Sequence, residues 1–108
     1  MMQGLTIEVV EAGSELALVG RLDTRSAPYA RTSLHQAVDS ASGDLVLRAD
    51  RLEIWDSHGL GVLVGAYRRA RQRGRSLVLT GVRQREARVL RRTRLDRLIR
   101  VEHLPLAG

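Results

Sequence analysis

The sequence predicts an α/β fold in which helices pack on a mixed β-sheet. Near the N-terminus, two segments of alternating apolar and polar residues flank a short glycine turn, which predicts an antiparallel hairpin. After residue 44, short apolar runs alternate with segments of helical periodicity, and this order favours parallel strands connected by helices. The chain has 108 residues, a length that suits one modest core. We therefore predict that residues 1–108 form a single domain.

The N-terminal part contains the hairpin and the first helix. Residues 5–10 and 15–22 alternate as strands do, and residues 12–14 form the turn between them. In the helix that follows, Ser26 is the predicted N-cap and Pro28 is tolerated in the first turn. The helical spacing is carried by apolar residues, namely Ala30, Leu34, Ala37 and Val38.

The central part of the chain contains a strand and a second helix. Residues 45–47 are a short apolar strand, and residues 52–55 continue the same layer. From Gly59 the period changes to that of a helix, which ends near Gly74 because glycine favours helix termination. One face of this helix carries residues spaced i, i+3, i+4 and i+7, namely Leu60, Leu63, Val64 and Tyr67.

The C-terminal part adds one more strand and one more helix. Residues 76–80 are predicted as a strand and residues 84–92 as a short, very basic helix. The apolar residues beyond this helix are expected to close the domain, and these are Leu95, Leu98, Ile99 and Val101. Pro105 is expected to end the fold.

The composition excludes several classes of protein. The chain has no Cys, so it has neither a disulfide framework nor a thiolate metal site. No apolar run approaches the roughly 20 residues of a membrane span, and the N-terminus does not resemble a signal peptide. We therefore expect a cytoplasmic protein with no membrane association. His35, His58 and His103 lack metal-ligand spacing, so we expect no metal or other cofactor, and we place His35 and His103 on the surface.

The positive charge is concentrated in the second half of the chain. All 18 basic residues are Arg, and 13 of them lie in residues 68–100, where Glu86 and Asp96 are the only acids. Such asymmetry is typical of a surface for nucleic acid or for an acidic partner, but it also fits ordinary solvated helix faces. These residues include no aromatic side chain, and Tyr67 directly before them is the one aromatic residue nearby, which disfavours base stacking. Direct nucleic-acid binding is therefore not favoured.

A polar break separates the apolar residues that end at Trp55 from the helix that begins near Gly59. Asp56 and Ser57 lie at this break, so Ser57 is at or beside the helix N-cap, where free N–H groups attract oxygen ligands and anions. Capping alone would account for both residues. It does not account for Gly59 and Gly61, each of which costs up to about 1 kcal/mol in a helix interior. These glycines predict the close approach of another backbone or surface, and Trp55 is either a core residue or a partly exposed anchor for a partner.

Three segments resemble the anti-sigma-factor antagonist family, the bacterial STAS domains. Residues 56–74, "DSHGLGVLVGAYRRARQRG", resemble the family signature Asp-Ser-(Ser/Thr)-Gly-Leu-Gly followed by an amphipathic helix. Residues 20–28, "GRLDTRSAP", and residues 89–101, "VLRRTRLDRLIRV", resemble two further motifs of the family in the same order. The resemblance covers nearly the whole chain. It implies a STAS-like fold, a small mixed β-sheet of four to five strands with three to four α-helices packed against it.

The resemblance also implies a function. Family members bind an anti-sigma factor that is also a serine kinase, and thereby regulate sigma-factor-dependent transcription. Phosphorylation at the position of Ser57 releases the kinase, and a phosphatase acting on phospho-Ser57 resets the switch. No catalytic residues are implied in the chain itself, and a weak homodimer is an open alternative. The residues that match the partner-binding surface of the family are Asp23, Asp56, Ser57, His58, Gly59, Leu60 and Gly61.

The chain departs from the family pattern at several positions. His58 stands where Ser or Thr is usual, which is either a plain exposed substitution or a change in kinase recognition. Arg94 replaces a turn glycine, and because a left-handed backbone would cost Arg about 1 kcal/mol or more, we expect this turn to differ. Glu86 and Arg92 replace apolar residues, so we expect a loosely packed final helix or a basic partner surface. A hydrolase dyad of Ser57 and His58 is disfavoured, because adjacent side chains rarely point at one another.

The sequence is compatible with two other functions. The chain would also suit a STAS-domain scaffold, or a subunit of another assembly such as a lipid-transport ATPase complex, without a phosphorylation switch. A more remote alternative is an Arg-rich nucleic-acid-binding protein. Steeply salt-dependent binding to DNA or RNA would distinguish that alternative from the others.

Overall fold

The structure is a computed structural model that describes residues 4–103, with only the backbone described for His103. The elements, in chain order, are β1 (Leu5–Glu11), β2 (Glu15–Leu22), α1 (Ala27–Asp39), β3 (Leu45–Ile54), α2 (Ser57–Gln72), β4 (Leu77–Val82), α3 (Gln84–Arg92), a 3₁₀ turn (Leu95–Arg97) and β5 (Arg100–His103). The expectations for Pro105 and for the side chain of His103 lie outside the described residues. Within residues 4–103, no helix is both long enough and apolar enough to cross a membrane.

The strands form one mixed sheet in the order β1-β2-β3-β4-β5. The hairpin of β1 and β2 is antiparallel, and the pairs β2–β3, β3–β4 and β4–β5 are parallel. This confirms the predicted α/β fold with a mixed sheet. The two apolar segments predicted at residues 45–47 and 52–55 belong to the single strand β3, which ends at Ile54.

One face of the sheet packs against the helices. In β3, Leu45, Leu47 and Ala49 are buried, whereas the alternate residues Arg48 and Asp50 are exposed. A single core cluster joins the buried strand residues to those of α1, α2 and α3. The chain contains no Phe, and the largest fully buried side chains are almost all Leu. The core therefore consists of close-packed aliphatic side chains on one side of the sheet.

The helices bury faces that differ partly from those predicted. In α1 the predicted apolar residues are all buried. In α2 the buried residues include Val62, Leu63 and Ala66, whereas Leu60 and Tyr67 are only partly buried. The predicted face therefore does contact the core, but the most deeply buried residues lie on a face rotated toward Val62 and Ala66. His35, expected on the surface, lies partly buried beside α2, where a Cβ on Gly65 would be 3.9 Å from its Nε2.

Arg75 is a buried cation that ties three parts of the fold together. Its Nη1 donates to the carbonyls of Ala37 and Val38 at 2.9 Å, at the end of α1. Its Nε donates to Gly43 O at 2.8 Å, and Nη2 donates to Gly13 O in the turn of the hairpin. Cations are favourable at a helix C-terminus, where carbonyls lack intrahelical partners. The side chain therefore satisfies backbone groups that would otherwise be buried without partners.

The turn after α3 has a left-handed backbone at Arg94, although Arg in place of Gly led us to expect a different turn. Arg94 has φ 62° and ψ 18°, so the expectation of a different turn was wrong. Leu95 and Ile99, on the far side of the turn, are buried, and their burial offsets the strain at Arg94. Leu98 is 50% exposed, so the expectation that it closes the core was also wrong.

Glu86 lies in the first turn of α3 and is buried, with only 1% of its surface exposed. Within residues 4–103, neither carboxylate oxygen has a hydrogen-bond partner. The closest cations are Arg83, with Nε 3.8 Å away, and Arg85, with Nε 4.0 Å away. The helix is nevertheless docked, since Ala87 and Leu90 are buried. The helix therefore packs on the core through these residues, and the departure from the apolar pattern places a carboxylate in that interface.

Candidate partner-binding and phosphorylation site

The site is built where β2 and β3 end side by side. Because these strands are parallel, with Leu22 paired to Ile54, the loops that follow them meet at the same edge of the sheet. Trp55 N donates to Leu22 O at 3.0 Å. Thr24 N and Thr24 Oγ1 donate to Asp56 Oδ2 at 3.0 and 2.9 Å. The structure therefore places the loop of Asp23 beside the motif at Asp56, as the resemblance implied.

Asp56 is the N-cap of α2, with an extended backbone and a carboxylate that accepts a hydrogen bond from Gly59 N at 3.0 Å. This bond is the main cause that lowers the pKa of Asp56 below its usual value, and the bonds from Thr24 add to it against partial desolvation. The carboxylate therefore stays ionised near neutral pH. Both of its oxygens are engaged, so it orders the start of the helix and the neighbouring loop.

Ser57 is the first residue of α2, and its side chain is exposed. The first N–H groups of a helix have no intrahelical partners, and Asp56 satisfies only that of Gly59. The hydroxyl therefore lies at the positive end of the helix dipole, where an anion is favoured. This position makes Ser57 accessible to another protein.

The glycines of the first turn of α2 have different roles. Gly59 is buried, and a Cβ at this position would lie 2.4 Å from Leu22 O. Gly59 thus permits the backbone approach that the sequence predicted, and it is not part of the exposed surface. Gly61 is exposed, and a Cβ there would meet no atom of residues 4–103 within 4 Å. Leu60, between the two glycines, is partly buried against the core. Of the two glycines, Gly61 is therefore the one that leaves open space beside Ser57.

His58 is exposed and turns toward the loop after β2. Its Nδ1 lies 3.1 Å from Thr24 Oγ1. The single hydroxyl proton of Thr24 is donated to Asp56, so Nδ1 is the donor in this contact. The imidazole is therefore held by Thr24, which argues against the disfavoured dyad with Ser57.

Asp23 shapes the loop between β2 and α1. Its Oδ1 accepts hydrogen bonds from Arg25 N and Ser26 N, both at 3.0 Å. Ser26 occupies the predicted N-cap position, but its hydroxyl donates to Arg21 O at 2.8 Å and does not cap the helix. The loop in turn presents Thr24, which sequence reasoning missed. The available signal was its place directly after Asp23 in the motif "GRLDTRSAP".

Trp55, directly before Asp56 in the chain, extends the site. The residue is 49% exposed, so the core interpretation was wrong and the interpretation as a partner anchor stays a prediction. The guanidinium carbon of Arg21 lies 4.3 Å from the ring centroid, and that of Arg85 lies 5.8 Å from it. The indole Nε1 donates to Glu53 Oε1 at 3.4 Å. The two distances from the guanidinium carbons to the ring centroid are within the range of cation–π attraction.

Comparison with known proteins identifies the family. The STAS domain family model matches residues 6–104. The anti-sigma-B factor antagonist of Listeria monocytogenes is 33% identical over 105 residues, which cover 93% of this chain and 90% of that protein. The phosphorylated form of the Bacillus cell fate determinant SpoIIAA shares the fold with a TM-score of 0.64 at 20% identity, over 90% of this chain and 89% of that one. A sulfate transporter family protein from Wolinella succinogenes shares it with a TM-score of 0.74 at 23% identity, over 90% and 82%. The chain belongs to the anti-sigma-factor antagonist family of STAS domains.

Proposed function

We propose that this protein is an anti-sigma-factor antagonist that binds an anti-sigma factor with serine kinase activity through the surface around Ser57. Phosphorylation of Ser57 releases the kinase, and a phosphatase restores the binding form. The observation that carries the proposal is the exposed hydroxyl at the start of α2, next to the open space at Gly61. The relatedness to the Listeria anti-sigma-B factor antagonist supports it.

The release follows from the electrostatics of the interface. Phosphorylation adds about −1.5 to −2 charges at pH 7. In the free protein, water and the N-terminus of α2 stabilise this charge. In the complex, a surface formed for a hydroxyl and a glycine would have to bury a dianion, at an effective cost of several kcal/mol. Because each 1.4 kcal/mol changes an equilibrium constant tenfold, this cost is large enough to end binding.

The phosphoryl transfer needs groups that the chain does not supply. The Ser57 oxygen forms a bond to the γ-phosphorus of ATP while the bond to the bridging β–γ oxygen breaks, and ADP leaves. The hydroxyl proton passes to a base on the kinase, because Asp56 and His58 are engaged with Thr24. Hydrolysis of the phosphoserine by the phosphatase returns the hydroxyl and releases inorganic phosphate. We accordingly propose a cytoplasmic, non-enzymatic binding protein without a cofactor.

A second candidate is a STAS-domain subunit of another assembly, in which Ser57 is not phosphorylated. It is kept because the fold is shared with a sulfate transporter family protein. The two candidates differ in whether modification of Ser57 changes binding to a partner.

The test begins with phosphorylation. The purified protein is incubated with each anti-sigma factor kinase of its own organism and ATP, and the phosphate is mapped by mass spectrometry. We expect one phosphate on Ser57. Binding to that kinase is then compared for the wild type, Ser57→Ala and Ser57→Asp, with Ser42→Asp as a matched control. Ser42 is exposed in the loop before β3, at the opposite end of that strand.

We expect Ser57→Ala and Ser42→Asp to bind as the wild type does, and Ser57→Asp to lose binding. Equal binding by all four proteins would reject the switch and favour the second candidate. Absence of phosphate on Ser57 with every kinase would do the same.

A further inference from the structure

We propose that Trp55 and the arginines of α3 extend the partner-binding surface beyond the serine site, and that the partner presents acidic side chains to them. The proposal rests on the proposed function, since the partner is the same anti-sigma factor. It adds a second region of contact and the chemistry of the surface that covers it. We call this region the Trp–Arg surface, comprising Trp55, Arg85, Arg88 and Arg92.

The Trp–Arg surface is continuous with the serine site through a shared backbone contact. Leu22 O accepts the hydrogen bond from Trp55 N, and a Cβ on Gly59 would lie 2.4 Å from the same oxygen. Trp55 therefore lies directly beside the first turn of α2, which carries Ser57. The guanidinium of Arg85, in the first turn of α3, lies 5.8 Å from the indole centroid. A protein that covers Ser57 and Gly61 is thus placed to reach Trp55 and α3.

The charge of α3 is not balanced within the described part of the chain. Arg85, Arg88 and Arg92 are exposed and spaced i, i+3 and i+7, so they share one helix face. Within residues 4–103, neither Arg88 nor Arg92 lies within 4.0 Å of an acidic group. Among residues 4–103, the acidic group near Arg85 is the buried Glu86, with its Oε2 4.0 Å from Arg85 Nε. This face therefore presents unpaired cations, which complement an acidic protein surface.

Trp55 is an interface anchor whose side chain loses little conformational entropy on binding. Tryptophan and arginine are the residues most enriched among those that dominate binding energy at protein interfaces. The indole is already held by Arg21, 4.3 Å from its centroid, and by its hydrogen bond to Glu53. A side chain that is ordered before binding costs less to immobilise on association.

An acidic protein fits this surface better than a nucleic acid does. The ring of Trp55 is already contacted by two guanidinium groups, so it is not a free platform for stacking bases. An acidic partner also sharpens the switch, because a phosphate on Ser57 would face carboxylates as well as a desolvated interface. The positive face of α3 would then attract the acidic partner, whereas the phosphate on Ser57 would repel it.

The test measures association and dissociation rates with the anti-sigma factor kinase that phosphorylates Ser57. Arg88→Gln/Arg92→Gln removes two charges from the Trp–Arg surface. The matched control Arg68→Gln/Arg71→Gln removes two charges from exposed positions in the C-terminal half of α2. Arg68 lies 11 residues beyond Ser57, about 16 Å along the helix. Both variants keep helix-forming residues, and thermal unfolding verifies that both are folded.

We expect the α3 variant to associate about tenfold more slowly at low salt, with a weaker dependence on salt, as is typical for charges that steer binding. We expect the control to stay within about twofold of the wild type. Trp55→Ala is expected to weaken binding on the order of 30-fold, mainly through faster dissociation. Equal rates for the α3 variant and the control would overturn the proposal, even if Trp55→Ala fails to fold.

Two further measurements separate this proposal from others. If Ser57→Asp abolishes kinase binding while the α3 variant binds normally, the proposed function stands and the Trp–Arg surface is rejected. If Ser57→Asp has no effect, the proposed function itself fails. Binding of a 20-base-pair DNA duplex that needs the α3 arginines, together with kinase binding that does not, would assign this face to nucleic acid and overturn the proposal.

Discussion

The backbone of Gly59 lies against the carbonyl oxygen of Leu22 so closely that a Cβ at this position would be 2.4 Å from that oxygen and 2.8 Å from the carbonyl carbon. The neighbouring atoms belong to the backbone of β2, which cannot move aside as a flexible side chain can. Gly59→Ala is therefore expected to lower the free energy of unfolding by about 1–3 kcal/mol, the usual cost of overpacking. Urea denaturation of the two proteins measures the difference, and a variant as stable as the wild type would show that the contact is not close.

Gly61 provides the matched comparison within the same helical turn. In the described part of the chain, no atom lies within 4 Å of a Cβ built there, and alanine is favoured over glycine in helices by up to about 1 kcal/mol. We expect Gly61→Ala to raise the free energy of unfolding by up to that amount. At the same time it should weaken binding to the anti-sigma factor, because the added methyl occupies the space left for the partner. An increase in stability without any loss of binding would remove Gly61 from the interface.

Glu86 is a buried acidic residue at a position where the family pattern has an apolar residue. Its carboxylate is buried without a hydrogen bond from residues 4–103, with Arg83 and Arg85 only at the margin of ion-pair distance. A buried acceptor without a partner costs about 1–3 kcal/mol, and a charged one costs more, a penalty that an apolar side chain of similar size avoids. Glu86→Leu is expected to raise the midpoint of urea denaturation, with Glu102→Leu, at an exposed position, as the control. A lower midpoint would show that the carboxylate has partners that stabilise it.

His35 gives the protein a dependence of stability on mildly acidic pH. Desolvation and the nearby Arg69 lower the pKa of His35 below its usual value, and the nearby Asp39 opposes them only in part. The unfolded chain therefore binds a proton at a higher pH than the folded chain does. The contribution of His35 to the free energy of unfolding is fully present above the pKa of the unfolded state, about 6.5. It is lost as the pH falls from that value through the lower pKa of His35 in the folded state.

The expected result is a melting temperature that falls between pH 7.5 and pH 5.5. His35→Gln, which cannot titrate, should show a smaller fall over the same range. Differential scanning calorimetry at several pH values measures both proteins. An identical pH dependence in the wild type and the variant would contradict the assigned role of His35.

Much of the fold was predictable because its signals are local. Alternating residues in β2, and the periodic apolar residues of α1, report directly on which side of each element is buried. In β1 the alternation fails at Val9, which is 66% exposed. The motif from Asp56 to Gly61 likewise indicated a helix start that presents Ser57. The rotation of the buried face of α2 was missed because that helix carries apolar residues around more than one side.

The remaining features depend on contacts between residues distant in sequence. Arg75 is buried by carbonyls of the hairpin turn and of the end of α1, and no pattern around Arg75 indicates them. Thr24 contacts Asp56 and His58 only because β2 and β3 end at the same edge of the sheet. Arg94 keeps its left-handed turn because Leu95 and Ile99 are buried beyond it, and this tertiary gain outweighs the local preference.

The most direct measurement compares one anti-sigma factor kinase binding to the wild-type protein in two states, unmodified and fully phosphorylated on Ser57. We expect the dissociation constant to be at least about 100-fold higher for the phosphorylated form, as an interfacial penalty of several kcal/mol requires. Equal dissociation constants for the two forms would contradict the account, because the hydroxyl at the start of α2 would then have no part in controlling the partner.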